Sequence, residues 1–261
     1  MEKKIFLSLL CFVSVFMTGM NSANSQVKFS MHIGGTLPLG TYADCLDTPN
    51  STQNGDYIIA WNVKTDKAGA AVGFDLGAKF RFPIPTVKGL GAIATADLFF
   101  NLSKKEARDC FNDYMLLVCS NNSISNYDLN VPKYVNIPVM CGLNYEYAIS
   151  NNAKIWGEGA AGLNIGIITD LKMNCSEQDF NYKYSIAYES QYTFAFQFGA
   201  GVLLSDRLSL GLHYYNLGSQ KVKGNAKYIV TWYGGGESDK GIFVFDRINP
   251  SMLCLRLGYH F

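Results

Sequence analysis

The chain alternates. From Gly69 to Phe82, the residues Ala70, Val72, Phe74, Leu76, Ala78, Phe80 and Phe82 occupy every second position, and Ala71, Gly73, Asp75, Gly77, Lys79 and Arg81 fill the gaps. Period two with one wholly apolar face predicts a β-strand whose two sides meet different surroundings. The run is more than twice the ~5–6 residues of an ordinary strand. It also exceeds the about 9–11 residues a tilted strand needs to cross a bilayer.

The same alternation predicts seven more strands. Leu90 to Leu102 keeps its even positions apolar against Thr95, Asp97 and Asn101. Val135 to Tyr147 opposes Asn136, Asn144 and Glu146, and Ala153 to Ile167 opposes Lys154, Glu158 and Asn164. Tyr192 to Leu204 opposes Thr193 and Gln197, and Leu208 to Tyr214 opposes Ser209 and His213. Phe29 to Leu37 and Leu253 to Phe261 complete the set at the two ends. Eight is an even number, as a single-chain bacterial barrel requires.

The connections alternate too. Pro83–Lys88, Ser150–Asn152 and Ser205–Arg207 are short, whereas Pro38–Ala68, Ser103–Asn130, Asp170–Ser190 and Ser219–Asn249 are long. Short turns on one side and long loops on the other are the asymmetry of an outer-membrane barrel. A Greek-key sandwich has no reason to show it. The expected fold is therefore all-β: an eight-stranded, antiparallel, up-and-down transmembrane barrel, with both termini periplasmic and the long loops extracellular.

Composition agrees with a chain covered by something other than water. Charged residues make up 16% and aromatics 14%, against about 25% charged in ordinary soluble domains. A net charge of +1 gives no electrostatic case for nucleic acid. Lys3 and Lys4, the apolar stretch Ile5 to Met20 and the small residues Ala23-Asn24-Ser25 predict a signal peptide over residues 1–25, leaving 26–261 as the barrel. The stretch is shorter than the ~20 residues of a spanning helix. Tyr145, Tyr147, Tyr192, Phe194, Tyr214, Phe80, Phe82, Tyr259 and Phe261 fall near strand ends, where rings suit the headgroup region.

Two segments carry a resemblance. Lys133-Tyr134-Val135-Asn136-Ile137-Pro138-Val139, running into Gly142-Leu143-Asn144-Tyr145, resembles the tyrosine–x–x–isoleucine–proline strand of porin-family outer-membrane barrels of Bacteroidetes. Leu257-Gly258-Tyr259-His260-Phe261 resembles the terminal strand that the barrel-assembly machinery reads, with Tyr259 and Phe261 as the signal. The layout from Val27 to Phe261 is also similar to small eight-stranded enterobacterial barrels. The resemblance implies a fold and an insertion route, and no catalytic residue.

The inward rows collect His32, Asp75, Lys79, Arg81, Asp97, Glu146, Glu158, His213, Arg256 and His260. Eight strands leave an interior just wide enough for side chains, and charges held there should pair. The expectation is a self-satisfying polar plug, with a narrow conduit as the alternative. No catalytic, metal or cofactor site is expected: the three histidines lack ligand spacing, and Ser209 and His213 fall on the inward face, away from lipid. Gly234-Gly235-Gly236 has no strand–helix context for phosphate and reads as a loop tip.

Of six cysteines after the signal, Cys45, Cys110, Cys119 and Cys175 fall in loops, and Cys110 with Cys119 is the expected disulfide. Four loop cysteines allow three connectivities. Cys141 should face lipid and Cys254 the lumen. The runs Tyr57–Trp61 and Tyr228–Tyr233 suggest hairpins reaching beyond the membrane. Expected partners are outer-membrane lipid and lipopolysaccharide, the assembly machinery, and an unidentified extracellular ligand at the loops. The expected role is structural or surface-interacting; a narrow channel and a lipid-modifying enzyme are the alternatives.

Overall fold

The structure is a computed structural model, and it describes residues 27–44, 67–120, 127–177, 180–232, 235–244 and 247–261. The signal segment, Cys45, the Tyr57–Trp61 run and Tyr233 lie outside the described residues, as do the side chains of Cys110 and Cys119. No pairing of those cysteines is therefore assigned.

In chain order the elements are β1 (Lys28–Leu39), β2 (Ala70–Pro83), β3 (Leu90–Ser103), α1 (Lys105–Ser120), β4 (Tyr127–Asn130), β5 (Tyr134–Ser150) and β6 (Ala153–Ile168). There follow β7 (Leu171–Glu177), β8 (Phe180–Tyr188), β9 (Gln191–Leu204), β10 (Leu208–Asn216), β11 (Lys223–Trp232), β12 (Gly235–Val244) and β13 (Ser251–His260). Eight of the strands close a barrel in the order β1-β13-β10-β9-β6-β5-β3-β2. Each of these corresponds to one alternating segment of the sequence.

All barrel pairings are antiparallel between neighbours in this series, and β13 zips to β1 from Ser30↔His260 to Leu39↔Ser251. The terminal Phe261 N–H donates to the Phe29 carbonyl at 3.0 Å. Phe29, Phe80, Tyr259 and Phe261 gather around this seam, with ring centroids 4.9–5.5 Å apart in successive pairs.

Register follows the pattern because a one-residue slip would turn every apolar residue inward. Val72, Phe74, Leu76, Phe80, Leu143, Phe198, Leu212, Leu255 and Leu257 are exposed on the outside. Asp75, Asp97, Asn101, Asn136, Asn164, Gln197 and Arg256 are buried inside. This is the inverse of a water-soluble barrel. Ala70 departs from its expected outward place and is fully buried, because a bulge between Ala70 and Gly73 shifts the register against β3.

Short turns join the barrel strands at one end. In Leu204-Ser205-Asp206-Arg207, Ser205 (φ 50°) and Asp206 (φ 59°) are both left-handed, and the Arg207 N–H bonds the Leu204 carbonyl at 3.0 Å. Two consecutive left-handed residues make the type I′ turn whose twist suits a hairpin. Lys154 caps it by bonding the Asp206 carboxylate, which holds that carboxyl below its usual range.

At the other end three of the four long connections carry strands of their own among the described residues. Helix α1 follows β3, and the remaining strands form a second sheet in the order β12-β11-β8-β7-β4. The β11–β12 hairpin includes the expected Tyr228 segment. Helix α1 and the hairpin β7–β8 fall where the alternation predicts only loop.

Candidate functional site

The candidate site has two parts, a filled lumen and a sheet standing beyond it. The lumen is built by the inward positions of all eight barrel strands. Arg256 on β13 is its hub. Its Nε lies 2.5 Å from Asp75 Oδ2, its Nη1 donates to the Tyr215 hydroxyl at 2.5 Å, and its Nη2 is 3.5 Å from Asp97 Oδ1. Tyr215 in turn donates to Asp97 Oδ2 at 3.0 Å, and His32 Nε2 lies 2.7 Å from Asp97 Oδ1. The guanidinium also stacks on Phe99 and Tyr215, 5.4 and 4.8 Å from their ring centres. A planar fork serving two carboxylates and two rings is work for arginine, not lysine.

A second cluster sits nearer the short turns. Lys79 Nζ bonds Glu158 Oε2 at 2.8 Å and lies 5.0 Å from the centre of the Trp156 ring. Gln197 Nε2 donates to Glu158 Oε1 at 3.3 Å, and His213 Nδ1 stands 3.2 Å from Gln197 Oε1. Arg81 closes the end: its Nε is 2.7 Å from Asn144 Oδ1 and 3.0 Å from Glu146 Oε1, and its Nη2 donates to the Gly89 carbonyl at 2.8 Å. Lys79, Arg81 and Arg256 thus face Asp75, Asp97, Glu146 and Glu158. Inside a barrel this arrangement is what keeps buried charge tolerable.

All of His32, Asp75, Lys79, Arg81, Asp97, Glu146, Glu158, His213 and Arg256 therefore lie in the lumen, divided between these clusters. Ser209 bonds His260, with Oγ 3.1 Å from Nε2, rather than His213. Cys141 faces outward and Cys254 is buried inside, both as free thiols. Cys175 is buried in β7, not in a loop. A cavity of about 20 Å³ lies among His32, Lys79, Glu158, His213 and Arg256, the size that holds a single water.

Space for the large lumen side chains comes from facing glycines. A Cβ on Gly77 would stand 2.2 Å from Asp97 Oδ1 and 2.4 Å from His32 Nε2, and one on Gly211 would stand 2.4 Å from Trp156 Cζ2. Gly35 faces outward and meets nothing within 4 Å. Gly77→Ala is expected to cost about 1–3 kcal/mol by overpacking, and Gly35→Ala to stay within about 0.5 kcal/mol of the parent. Urea unfolding of vesicle-inserted protein measures both.

Toward the loops the lumen changes character. Asn136 Oδ1 accepts from Asn164 Nδ2 and Gln220 Nε2, each at 3.0 Å. Beyond this layer Tyr42, Leu217, Val222, Ile248 and Met252 form a buried apolar stopper. Over it stands the second sheet. One face is packed: Leu171, Met173 and Cys175 of β7 join Tyr182, Tyr184 and Ile186 of β8 and Phe111 of α1. The other face is exposed and polar, with Lys172, Lys183 and Lys227 outward.

The inward set read from the sequence lacks Phe99, Trp156, Tyr215 and Gln220. The first three share the inward parity of their strands, so alternation could have placed them. Gln220 lies outside any barrel strand and gives no such sign. The buried–exposed alternation of Tyr182-Lys183-Tyr184-Ser185-Ile186-Ala187 is a legible strand signal within the supposed loop.

No family model matches the sequence, and no curated protein matches it. Among solved structures the chain is similar to the outer membrane protein OprG from Pseudomonas aeruginosa, at 15% identity over 91% of this chain and 97% of that one, with a TM-score of 0.40. It is similar to a major outer membrane protein from Thermus thermophilus at 12% identity, covering 90% and 100% of the two chains, with a TM-score of 0.45. Neisserial surface protein A stands at 10% identity, 91% and 98% coverage and a TM-score of 0.39. The likeness goes no further than fold.

Proposed function

We propose that this chain is a non-conducting outer-membrane barrel that displays its extracellular loops as a binding platform. One observation carries the proposal: three of the four long connections are joined into a single five-stranded sheet with its own apolar core, while the barrel beneath is filled by paired charges and stoppered by Tyr42, Leu217 and Met252. Conduction needs an open lumen, whereas display needs a rigid scaffold and an ordered outer surface. Eight strands supply the scaffold and leave no room for more.

The apolar outer band supports placement in lipid, with the short turns and both termini periplasmic and lipopolysaccharide around the loop end. The seam between β1 and β13 supports insertion through the assembly machinery, with Tyr259 and Phe261 as its signal. The Tyr134–Pro138 strand supports the porin-family kinship without implying a pore, and no catalytic role is proposed.

The test is planar-bilayer recording of the refolded protein. No conductance step is expected in molar potassium chloride. Regular steps would remove the proposal in favour of a narrow channel.

A further inference from the structure

The exposed face of the second sheet has a composition of its own. Its outward positions include Lys172 and Asn174 on β7, Lys183 and Ser185 on β8, and Asn225, Lys227 and Thr231 on β11. Register sets them side by side. Lys172 pairs with Ser185, Ser185 with Lys227, and Lys227 with Lys240 on β12, so one row across the sheet reads lysine, serine, lysine, lysine. Lys183 lies on the adjacent row, between Asn174 and Ile229. With strands about 4.8 Å apart, Lys172 and Lys227 stand roughly 10 Å from one another.

Two ordinary explanations do not account for these lysines. Lysine guards exposed sheet edges against pairing, but the edges here are β4 and β12, whereas Lys172, Lys183 and Lys227 sit on the three interior strands. Nor do they serve internal pairing. Of Lys172, Lys183 and Lys227, only Lys172 has an acid within ion-pair reach, Asp170 at 3.7 Å; the other outward acids among the described residues of this face stand at its margins, Asp128 on β4 and Glu189, whose N–H bonds the Lys223 carbonyl. A face that gathers lysine on its interior strands beyond what its own acids pair is suited to negative charge from outside.

We propose that this face binds an extracellular sulfated polysaccharide. The inference rests on the platform reading above and names its ligand class. An extended polyanion matches lysines spread over neighbouring strands, and hydroxyls on sugar rings match Asn174, Ser185, Asn225 and Thr231 between them. Nucleic acid is disfavoured because single strands are held by stacking on aromatic side chains, and the described tyrosines of this sheet, Tyr127, Tyr182, Tyr184, Tyr188 and Tyr228, belong to the opposite, packed face. The cell's own lipid phosphates are the competing source of negative charge, because Lys172 lies five residues along the chain from Ile167 of the apolar band; displacement by lipopolysaccharide distinguishes the two.

The experiment uses the full chain refolded in detergent over immobilised heparin, in rising salt. Binding is expected at about 50 mM salt and should weaken steeply with ionic strength, as contacts between exposed charges do. The triple variant K172E/K183E/K227E is expected to bind at least about tenfold more weakly. K104E/K105E/R108E, which makes the same charge change on and beside α1, should stay within about threefold of the parent. Unchanged heat-modifiable mobility on gels shows that each variant is folded. Absence of binding by the parent, equal losses in the two triples, or displacement of heparin by equimolar lipopolysaccharide or single-stranded DNA would each overturn the proposal. Such a failure with silent planar bilayers leaves the platform reading standing, whereas conductance removes that reading whatever heparin does.

Discussion

Replacing Arg256 with methionine is expected to destabilise the inserted barrel by about 3–5 kcal/mol, the cost of stripping a buried charge from its partners. Asp75 and Asp97 both lie against this guanidinium and are almost wholly shielded from solvent, at 0% and 2% exposure. Their other cationic candidate is His32, 2.7 Å from Asp97 and 3.9 Å from Asp75. Without Arg256 the two carboxylates are left facing one another across a lumen closed to bulk water. Arg256→Lys should recover only part of the loss, because an ammonium cannot reach Asp75, Asp97 and Tyr215 together or stack on Phe99. The combined variant D75N/D97N/R256M should recover most of it, since a pair removed whole leaves no uncompensated charge. Urea titration of vesicle-inserted protein, followed by tryptophan fluorescence, gives all three values. A loss below about 1 kcal/mol in Arg256→Met would mean that water already reaches the network, and a conducting lumen would return as the better account.

Leu255→Arg is the second large effect, expected at about 2–4 kcal/mol near the bilayer midplane. Leu255 is 60% exposed, pairs with Leu212 and Gly35, and lies midway along β13. On a water-soluble barrel such a substitution would be nearly neutral, within about 0.5 kcal/mol. In lipid the guanidinium has no water and no partner. The same unfolding assay separates the two cases, and a near-zero value would take the apolar band out of the membrane.

Much of this is legible in the sequence because a barrel in lipid makes burial a matter of parity. Asp75, Lys79 and Arg81 share one parity in a segment whose other parity is Val72, Phe74, Leu76 and Phe80, so strand, register and facing follow together. The lumen residues follow from the same rule. Their pairing does not. That Arg256 meets Asp75, 181 positions away, depends on barrel closure between β13 and β1 and on β2 lying on the far side of β1. Parity names the face and says nothing about which neighbours meet across a lumen.

The region at the loop end of the barrel is the least legible part. Its strands are short and its helix interrupts them, so no single stretch displays the long alternation that marks the barrel. Tyr182, Tyr184 and Ile186 look like scattered residues because Phe111 comes from another connection and Leu171 and Met173 from the far arm of their own hairpin. A five-stranded sheet assembled from three loops is stable only once those loops are brought together at one end of a barrel.

Local periodicity settles the eight long strands, their inward and outward faces, the alternation of short and long connections, and the identity of the charged lumen residues. Each of these follows from two-residue spacing and from the chemistry of one side chain in lipid or out of it. Barrel closure settles the rest: which lumen charges pair, that Phe99 and Tyr215 hold the central arginine, that the loop end is stoppered, and that Lys172, Lys183 and Lys227 share one face. These depend on contacts between residues far apart in the chain, which exist only after the barrel has closed.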